Sequence, residues 1–93
     1  MMGEFCMYVK DVVVQNQVGL HARPATFFIQ KAKEFTSGVW IARDDRKVNA
    51  KSLLGVLSLG VTRGTAITVI ADGADEEAAV NELANLVKTN FAE

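Results

Sequence analysis

The distribution of apolar and polar residues changes character along the chain and predicts its elements. Residues 8–14 are rich in β-branched side chains and predict a strand that ends at the polar stretch 15–19. From Ala22 to about Glu34 the apolar residues follow a helical spacing, with one face formed by Ala25, Phe28, Ile29 and Ala32. A strand, a loop and a helix therefore form the first unit.

The middle of the chain predicts a hairpin followed by a short helix. Residues 39–43 and 46–49 predict two short strands, because a pair of aspartates between them favours a tight turn. Ser52 is a good N-cap for a short apolar helix over 53–57, since its side-chain oxygen can accept a free backbone N–H. Glycines at 55 and 60 keep this helix short.

The last third predicts one strand and one helix. Residues 65–71 alternate between two faces and give the clearest strand pattern of the chain. Asp75 is the predicted N-cap of a helix that runs to about Asn90, and its apolar stripe consists of Ala79, Leu83, Leu86 and Val87. The order β-α-β-β-α-β-α predicts an α+β domain, in which helices cover one face of an antiparallel sheet.

Size, charge and residue usage restrict the possible functions. The 93 residues suit a single domain, and 10 basic against 11 acidic residues leave a net charge of −1, which disfavours direct nucleic-acid binding. One cysteine and one histidine cannot form an internal disulfide or a zinc cluster. We therefore expect no metal or cofactor.

The chain also lacks the patterns of membrane and export segments. Its longest stretches without a charged residue, 12–22 and 52–62, contain only 11 residues each. A membrane helix needs about 20 apolar residues. An acidic residue near the start, without a following apolar run, is not typical of a signal peptide. We expect a cytoplasmic protein that does not insert into membranes.

The most unusual residues lie together at the junction between the first loop and the first helix. The chain's single histidine, His21, lies two residues before Arg23, and its single proline, Pro24, fits the first helical turn. His21 is therefore expected at or beside the N-cap, where free N–H groups and the helix dipole favour an anion. A neutral imidazole is a nucleophile near neutral pH, and Arg23 can bind a phosphate. The alternative is that His21 only caps the helix and that Arg23 is solvated.

Three segments resemble a known family. They are Gly-Leu-His-Ala-Arg-Pro-Ala at 19–25, Asn-Ala-Lys-Ser-Leu-Leu-Gly-Val-Leu-Ser-Leu-Gly at 49–60 and Gly-Ala-Asp-Glu at 73–76. They are similar to HPr, the histidine-containing phosphocarrier protein of the bacterial sugar phosphotransferase system. The resemblance makes residues 1–6 an N-terminal extension and 7–93 the HPr-like domain. It implies an open-faced β-sandwich, with a four-stranded antiparallel sheet and three helices on one face.

The resemblance also implies a chemistry for the junction. His21 would accept a phosphoryl group on Nδ1 from phosphorylated enzyme I and donate it to IIA domains of sugar permeases. Arg23 would bind the phosphate, together with the backbone N–H groups of Ala22 and Arg23. The protein would then be a substrate of phosphotransferases and not an enzyme, and because the family is mostly monomeric we expect a monomer.

Ser52 has two compatible interpretations. Its residue type and position favour a helix cap. The resemblance to HPr of low-GC Gram-positive bacteria implies that HPr kinase/phosphorylase also phosphorylates this serine, with a catabolite-control transcription factor as a further partner. A phosphate is electrostatically acceptable at a helix N-terminus.

The resemblance further implies a docking surface for enzyme I and the IIA domains. Its predicted residues are Thr26, Phe27, Lys33, Leu53, Leu54 and Leu57. Exposed apolar residues grouped in this way are typical of a partner site. The alternatives are that the leucines belong to the core and that Lys33 is only solvated.

Two other functions remain open at this point. A paralogous carrier would use the same chemistry in a nitrogen-type or purely regulatory circuit. HPr-like regulators that have lost carrier activity lack the histidine, whereas His21 is present here. A small binding module for a metabolite or RNA is the other possibility, although the nearly neutral charge and few aromatic residues argue against RNA.

Overall fold

A computed structural model of the chain describes residues 7–16, 19–20, 22–89 and 91. Its elements follow the predicted order, which confirms the α+β class. They are β1 (Met7–Val13), α1 (Ala22–Ala32), β2 (Gly38–Arg43), β3 (Arg46–Asn49), α2 (Leu53–Ser58), β4 (Ala66–Asp72) and α3 (Glu76–Lys88).

The four strands form one antiparallel sheet in the order β1-β4-β2-β3. Successive side chains of a strand point to opposite faces. One face is buried under the helices and includes Val12, Ile41, Ile67 and Val69. On the opposite face Met7, Val9 and Val13 are 43–52% exposed. The open-faced sandwich is therefore confirmed.

The helices bury the faces that their spacing predicts. The predicted face of α1 is entirely buried: Ala25, Phe28, Ile29 and Ala32 are each at most 6% exposed. In α3 the stripe is buried at Ala79, Leu83 and Val87, while Leu86 is partly buried against the core. Helix α1 ends at Ala32, two residues before the predicted end at Glu34.

Asp75 lies at the start of α3 as predicted, but the prediction that its side chain caps the helix is wrong. The side chain makes no capping hydrogen bond. Its carboxylate instead accepts the backbone N–H groups of Thr36 and Ser37, each at 2.9 Å, and the Ser37 hydroxyl. These donors come from the loop between α1 and β2, which is thereby joined to the start of α3. The Ser37 hydroxyl, followed by the Thr36 N–H, lowers the pKa of Asp75 to about 2.

The lowered pKa of Asp75 predicts a pH-dependent contribution to stability. A carboxyl whose pKa is lower in the folded than in the unfolded state stabilises the fold above its ordinary pKa of 3.8, and this contribution is lost as the pH falls to about 2. We expect Asp75→Asn to lower the melting temperature at neutral pH, with the difference from the wild type disappearing at about pH 2. Asp72→Asn, which changes an exposed carboxylate of β4, is the control. A loss of equal size at both pH values would contradict this assignment.

Candidate functional site

The loop between β1 and α1 is held by hydrogen bonds close to position 21. The Asn16 side chain donates from Nδ2 to the carbonyl oxygen of Gly19 at 2.8 Å, and the Gly19 N–H donates back to the Asn16 carbonyl at 3.3 Å. The N–H of Leu20, a buried residue, donates to the carbonyl oxygen of Val61 at 3.0 Å. The loop is therefore tied both to itself and to the segment that precedes β4.

Gly19 allows this loop to approach the Val61–Thr62 backbone closely. Its φ is +66°, a left-handed conformation that residues with a Cβ rarely adopt. A Cβ at this position would lie 2.4 Å from the Val61 carbonyl oxygen and 2.7 Å from the Thr62 Cα. Both the backbone conformation and the lack of space therefore require glycine immediately before Leu20.

The first turn of α1 contains backbone donors beside position 21 that the helix itself does not use. Helix geometry leaves the N–H groups of Ala22 and Arg23 without acceptors inside the helix, while Pro24 has no N–H to lose. The Arg23 side chain is exposed at the same end. His21 lies outside the described residues, and its peptide bonds join it to Leu20 and Ala22. An anion next to position 21 would meet these N–H groups, a guanidinium and the positive end of the helix dipole.

Ser52 lies at the N-terminus of α2, as predicted. Its backbone is extended, with φ −110° and ψ 118°, and its Oγ accepts the Gly55 N–H at 3.2 Å. This geometry confirms the helix cap. The side chain is only half-buried.

The predicted docking residues lie on α1 and α2 and differ in exposure. Helix α2 packs beside α1 and presents Leu53 and Leu54, which are 42% and 80% exposed. Leu57 is partly buried and packs against the core. On α1, Thr26 and Lys33 are exposed. The exposed apolar patch on α2 therefore consists of Leu53 and Leu54.

Phe27 is half-buried and lines a groove of about 500 Å³ between α1 and α3. The Lys31 ammonium in this groove is 3.5 Å from the Glu34 carboxylate and 3.6 Å from that of Glu82. Its positive charge is thus already balanced by two carboxylates. The groove is consequently a poorer place for a phosphate than the N-terminus of α1.

The sequence pattern does not predict the role of Asn16. The available signal is an asparagine three residues before a glycine, which favours a turn closed by the side chain. Its Oδ1 is the buried side-chain polar atom for which no hydrogen-bond partner is found within the described part of the chain.

The described residues contain neither a metal-binding cluster nor a membrane-spanning helix. No group of three or more His, Cys, Asp or Glu side chains there is placed to hold a metal ion. None of the helices in the described ranges is long and apolar enough to cross a membrane.

Comparison with known proteins identifies the family. The family model described as "PTS HPr component phosphorylation site" matches residues 8–89. This chain belongs to the HPr family. The HPr-like protein Crh of Bacillus subtilis is 48% identical over 82 residues, which cover 88% of this chain and 96% of Crh. The phosphocarrier protein HPr of Neisseria meningitidis serogroup A is 39% identical over 87 residues, covering 94% and 98% of the two chains.

Solved HPr structures agree with the architecture. HPr-C-His from Thermoanaerobacter tengcongensis superimposes with a TM-score of 0.89 at 43% identity, over 92% of this chain and 97% of that chain. An HPr dimer from the same organism has a TM-score of 0.74 at 45% identity, over 88% and 94% of the two chains. The open-faced sheet with three helices is therefore the HPr fold.

The close approach of Gly19 to Val61 gives a stability prediction. We expect Gly19→Ala to reduce the free energy of unfolding by about 3 kcal/mol, because it adds a steric clash to the left-handed strain. Gly64 is the matched control, since its φ is +90° but a Cβ there would meet nothing within 4 Å. Gly64→Ala should cost about 1 kcal/mol, from backbone strain alone. Equal losses in urea denaturation of the two variants would contradict the importance of the contact.

Proposed function

We propose that this HPr-family protein is a phosphocarrier that accepts a phosphoryl group on His21 Nδ1 from phosphorylated enzyme I. It then passes the group to IIA domains of sugar permeases. The protein is in this account a substrate of phosphotransferases and works in the cytoplasm. The observation that supports the proposal most directly is the N-terminal turn of α1 next to position 21, whose first N–H groups have no acceptor inside the helix and whose Arg23 is exposed.

The proposed transfer requires a neutral imidazole. The lone pair of Nδ1 forms the new phosphorus–nitrogen bond while the bond between phosphorus and the donor breaks. The positive end of the α1 dipole disfavours a protonated ring, so a larger fraction of His21 is available for attack. The same end stabilises the negative phosphoryl oxygens, with the N–H groups of Ala22 and Arg23 as donors. Arg23 adds charge-assisted hydrogen bonds from its planar group.

Partner docking is proposed for the surface that α2 shares with α1. Leu53 and Leu54 expose apolar area that binding would remove from water. Thr26 and Lys33 on α1, the half-buried Phe27 and Leu57 complete the proposed contact set for enzyme I and the IIA domains. We propose a monomer as the working form.

Serine phosphorylation is proposed as the regulatory part of this function. HPr kinase/phosphorylase would modify Ser52, and a catabolite-control transcription factor would recognise the product. A phosphate adds about −1.5 to −2 charges and can accept the Gly55 N–H in place of the hydroxyl. The helix end therefore tolerates it, whereas a partner docking on the adjacent leucines would have to desolvate it.

A regulatory role without sugar transport is the second candidate. The similarity to Crh of Bacillus subtilis, whose solution structure is described as that of the catabolite repression HPr, favours it. The presence of His21 favours the carrier, because regulators that have lost carrier activity are expected to lack this residue.

Phosphorylation by enzyme I and phosphoenolpyruvate tests the carrier function. We expect intact mass to show one added phosphate that is labile in acid and stable in base, and none on His21→Ala. Arg23→Ala should slow the transfer by more than about tenfold, because a lost charge-assisted hydrogen bond costs roughly 1.5–3 kcal/mol. Arg23→Lys should recover only part of the rate, since it lacks the planar pair of donors. Full labelling of His21→Ala would refute the proposed acceptor.

A negative charge at Ser52 is expected to weaken docking without unfolding the protein. Ser52→Asp should raise the KM for transfer from enzyme I about tenfold, equivalent to about 1.4 kcal/mol, while the melting temperature stays level. Ser52→Ala is the control, because it removes the helix cap at a cost of about 1 kcal/mol but adds no charge. Wild-type kinetics for Ser52→Asp would leave Ser52 with a capping role alone.

A further inference from the structure

The hairpin formed by β2 and β3 carries two arginines, one on each strand beside the turn, on the same face. Arg43 and Arg46 are register partners, so their side chains leave the same face of the hairpin. Ile41 and Val48, the pair two residues further along each strand, share that face, and Ile41 is fully buried under the helices. Like charges directly opposite each other destabilise a strand pair. The arrangement therefore needs a compensating interaction.

The compensation comes from the end of α2. Arg43 donates from Nη1 to the carbonyl oxygens of Leu59 and Gly60, at 2.8 and 2.7 Å. Arg46 donates from Nη1 to the Ser58 carbonyl at 2.7 Å and from Nη2 to the Ser58 hydroxyl at 3.3 Å. Three consecutive carbonyl groups at the end of this helix thus accept hydrogen bonds from the arginine pair.

Helix α2 needs support of this kind because it is only six residues long. Isolated helices of fewer than about 12 residues are marginal in water. The last N–H groups, of Leu59 and Gly60, bond three residues back at 3.2 Å, and Gly60 then ends the helix with φ +64°. The carbonyl groups of Ser58, Leu59 and Gly60 therefore receive no N–H from a further helical turn. The positive charges of the two arginines also complement the negative end of the helix dipole.

We infer that Arg43 and Arg46 are positioning residues that fix the orientation of α2 and, through it, of the docking leucines. The inference rests on the proposed function, since it concerns how the partner meets Leu53 and Leu54. Neither arginine needs to touch the partner for this role.

The packing of α2 explains why its far end controls the leucines. Val56 is fully buried and Leu59 is 3% exposed, so the core holds one side of the helix. On the other side Leu54 is 80% exposed and packs against little. Hydrogen bonds at the C-terminal end restrict rotation and fraying of so short a helix. Releasing them lets the leucines adopt other orientations, so the partner must order them again when it binds.

A charge-preserving double variant separates positioning from simple attraction. Arg43→Lys with Arg46→Lys keeps both positive charges but loses the planar donor groups. We expect the KM for transfer from enzyme I to rise about fivefold while kcat stays within about twofold. Amide hydrogen exchange at Leu59 and Gly60 should become at least about tenfold faster, since local opening is then easier.

Lys47→Gln is the matched control on the same hairpin. Lys47 follows Arg46, but its ammonium lies over the Trp40 ring, 5.4 Å from the ring centroid, on the open face of the sheet. This variant should change neither the KM nor the exchange at Leu59 and Gly60. If the double variant fails to fold, Arg46→Lys alone retains both hydrogen bonds of Arg43 and is measured in its place.

Other outcomes would contradict either the positioning role of the arginines or the proposed function. An unchanged KM in the arginine variant, or a higher KM without faster exchange, refutes positioning by the arginine pair. An equal KM increase in Lys47→Gln shows that the effect is not specific to the arginine pair and also refutes it. If the wild-type protein accepts no phosphoryl group while its exchange pattern is normal, the proposed function is wrong and the inference falls with it.

Discussion

The contact between Gly19 and the Val61 carbonyl is the constraint on which the candidate site depends. No side chain fits between them, so the loop after β1 lies directly on the backbone that precedes β4. The adjacent bond from the Leu20 N–H to the same carbonyl fixes the direction in which the chain enters α1. The core below holds Val61 and Leu20 in place. A site formed by backbone N–H groups therefore takes its rigidity from the packed sheet rather than from its own side chains.

Much of this architecture is predictable because its signals are local. Alternation over 65–71 and helical spacing over 22–32 each follow from burial of one face, which the structure shows at Ile67 and Phe28. The Ser52 cap is predictable for the same reason, since its oxygen bonds an N–H only three residues away. The motif around His21 gives the family and the type of chemistry, and the family match confirms the former.

The features that sequence does not predict join residues that are distant along the chain. Asp75 is a good N-cap by type, but donors from Thr36 and Ser37, almost forty residues earlier, are close in space and compete for its carboxylate. The bonds from Arg43 and Arg46 to the end of α2 likewise need the hairpin register and the position of α2 together. The groove between α1 and α3 that Phe27 lines also combines residues that are distant along the chain.

The central claim is that the N-terminus of α1 binds the phosphoryl group carried by His21. Nuclear magnetic resonance of the ¹⁵N-labelled protein, before and after phosphorylation by enzyme I, tests it directly. We expect the amide protons of Ala22 and Arg23 to move downfield by more than any in α2 or α3, as donors to a phosphate do. Unchanged resonances for these two amides, with the largest changes elsewhere in the protein, would contradict it.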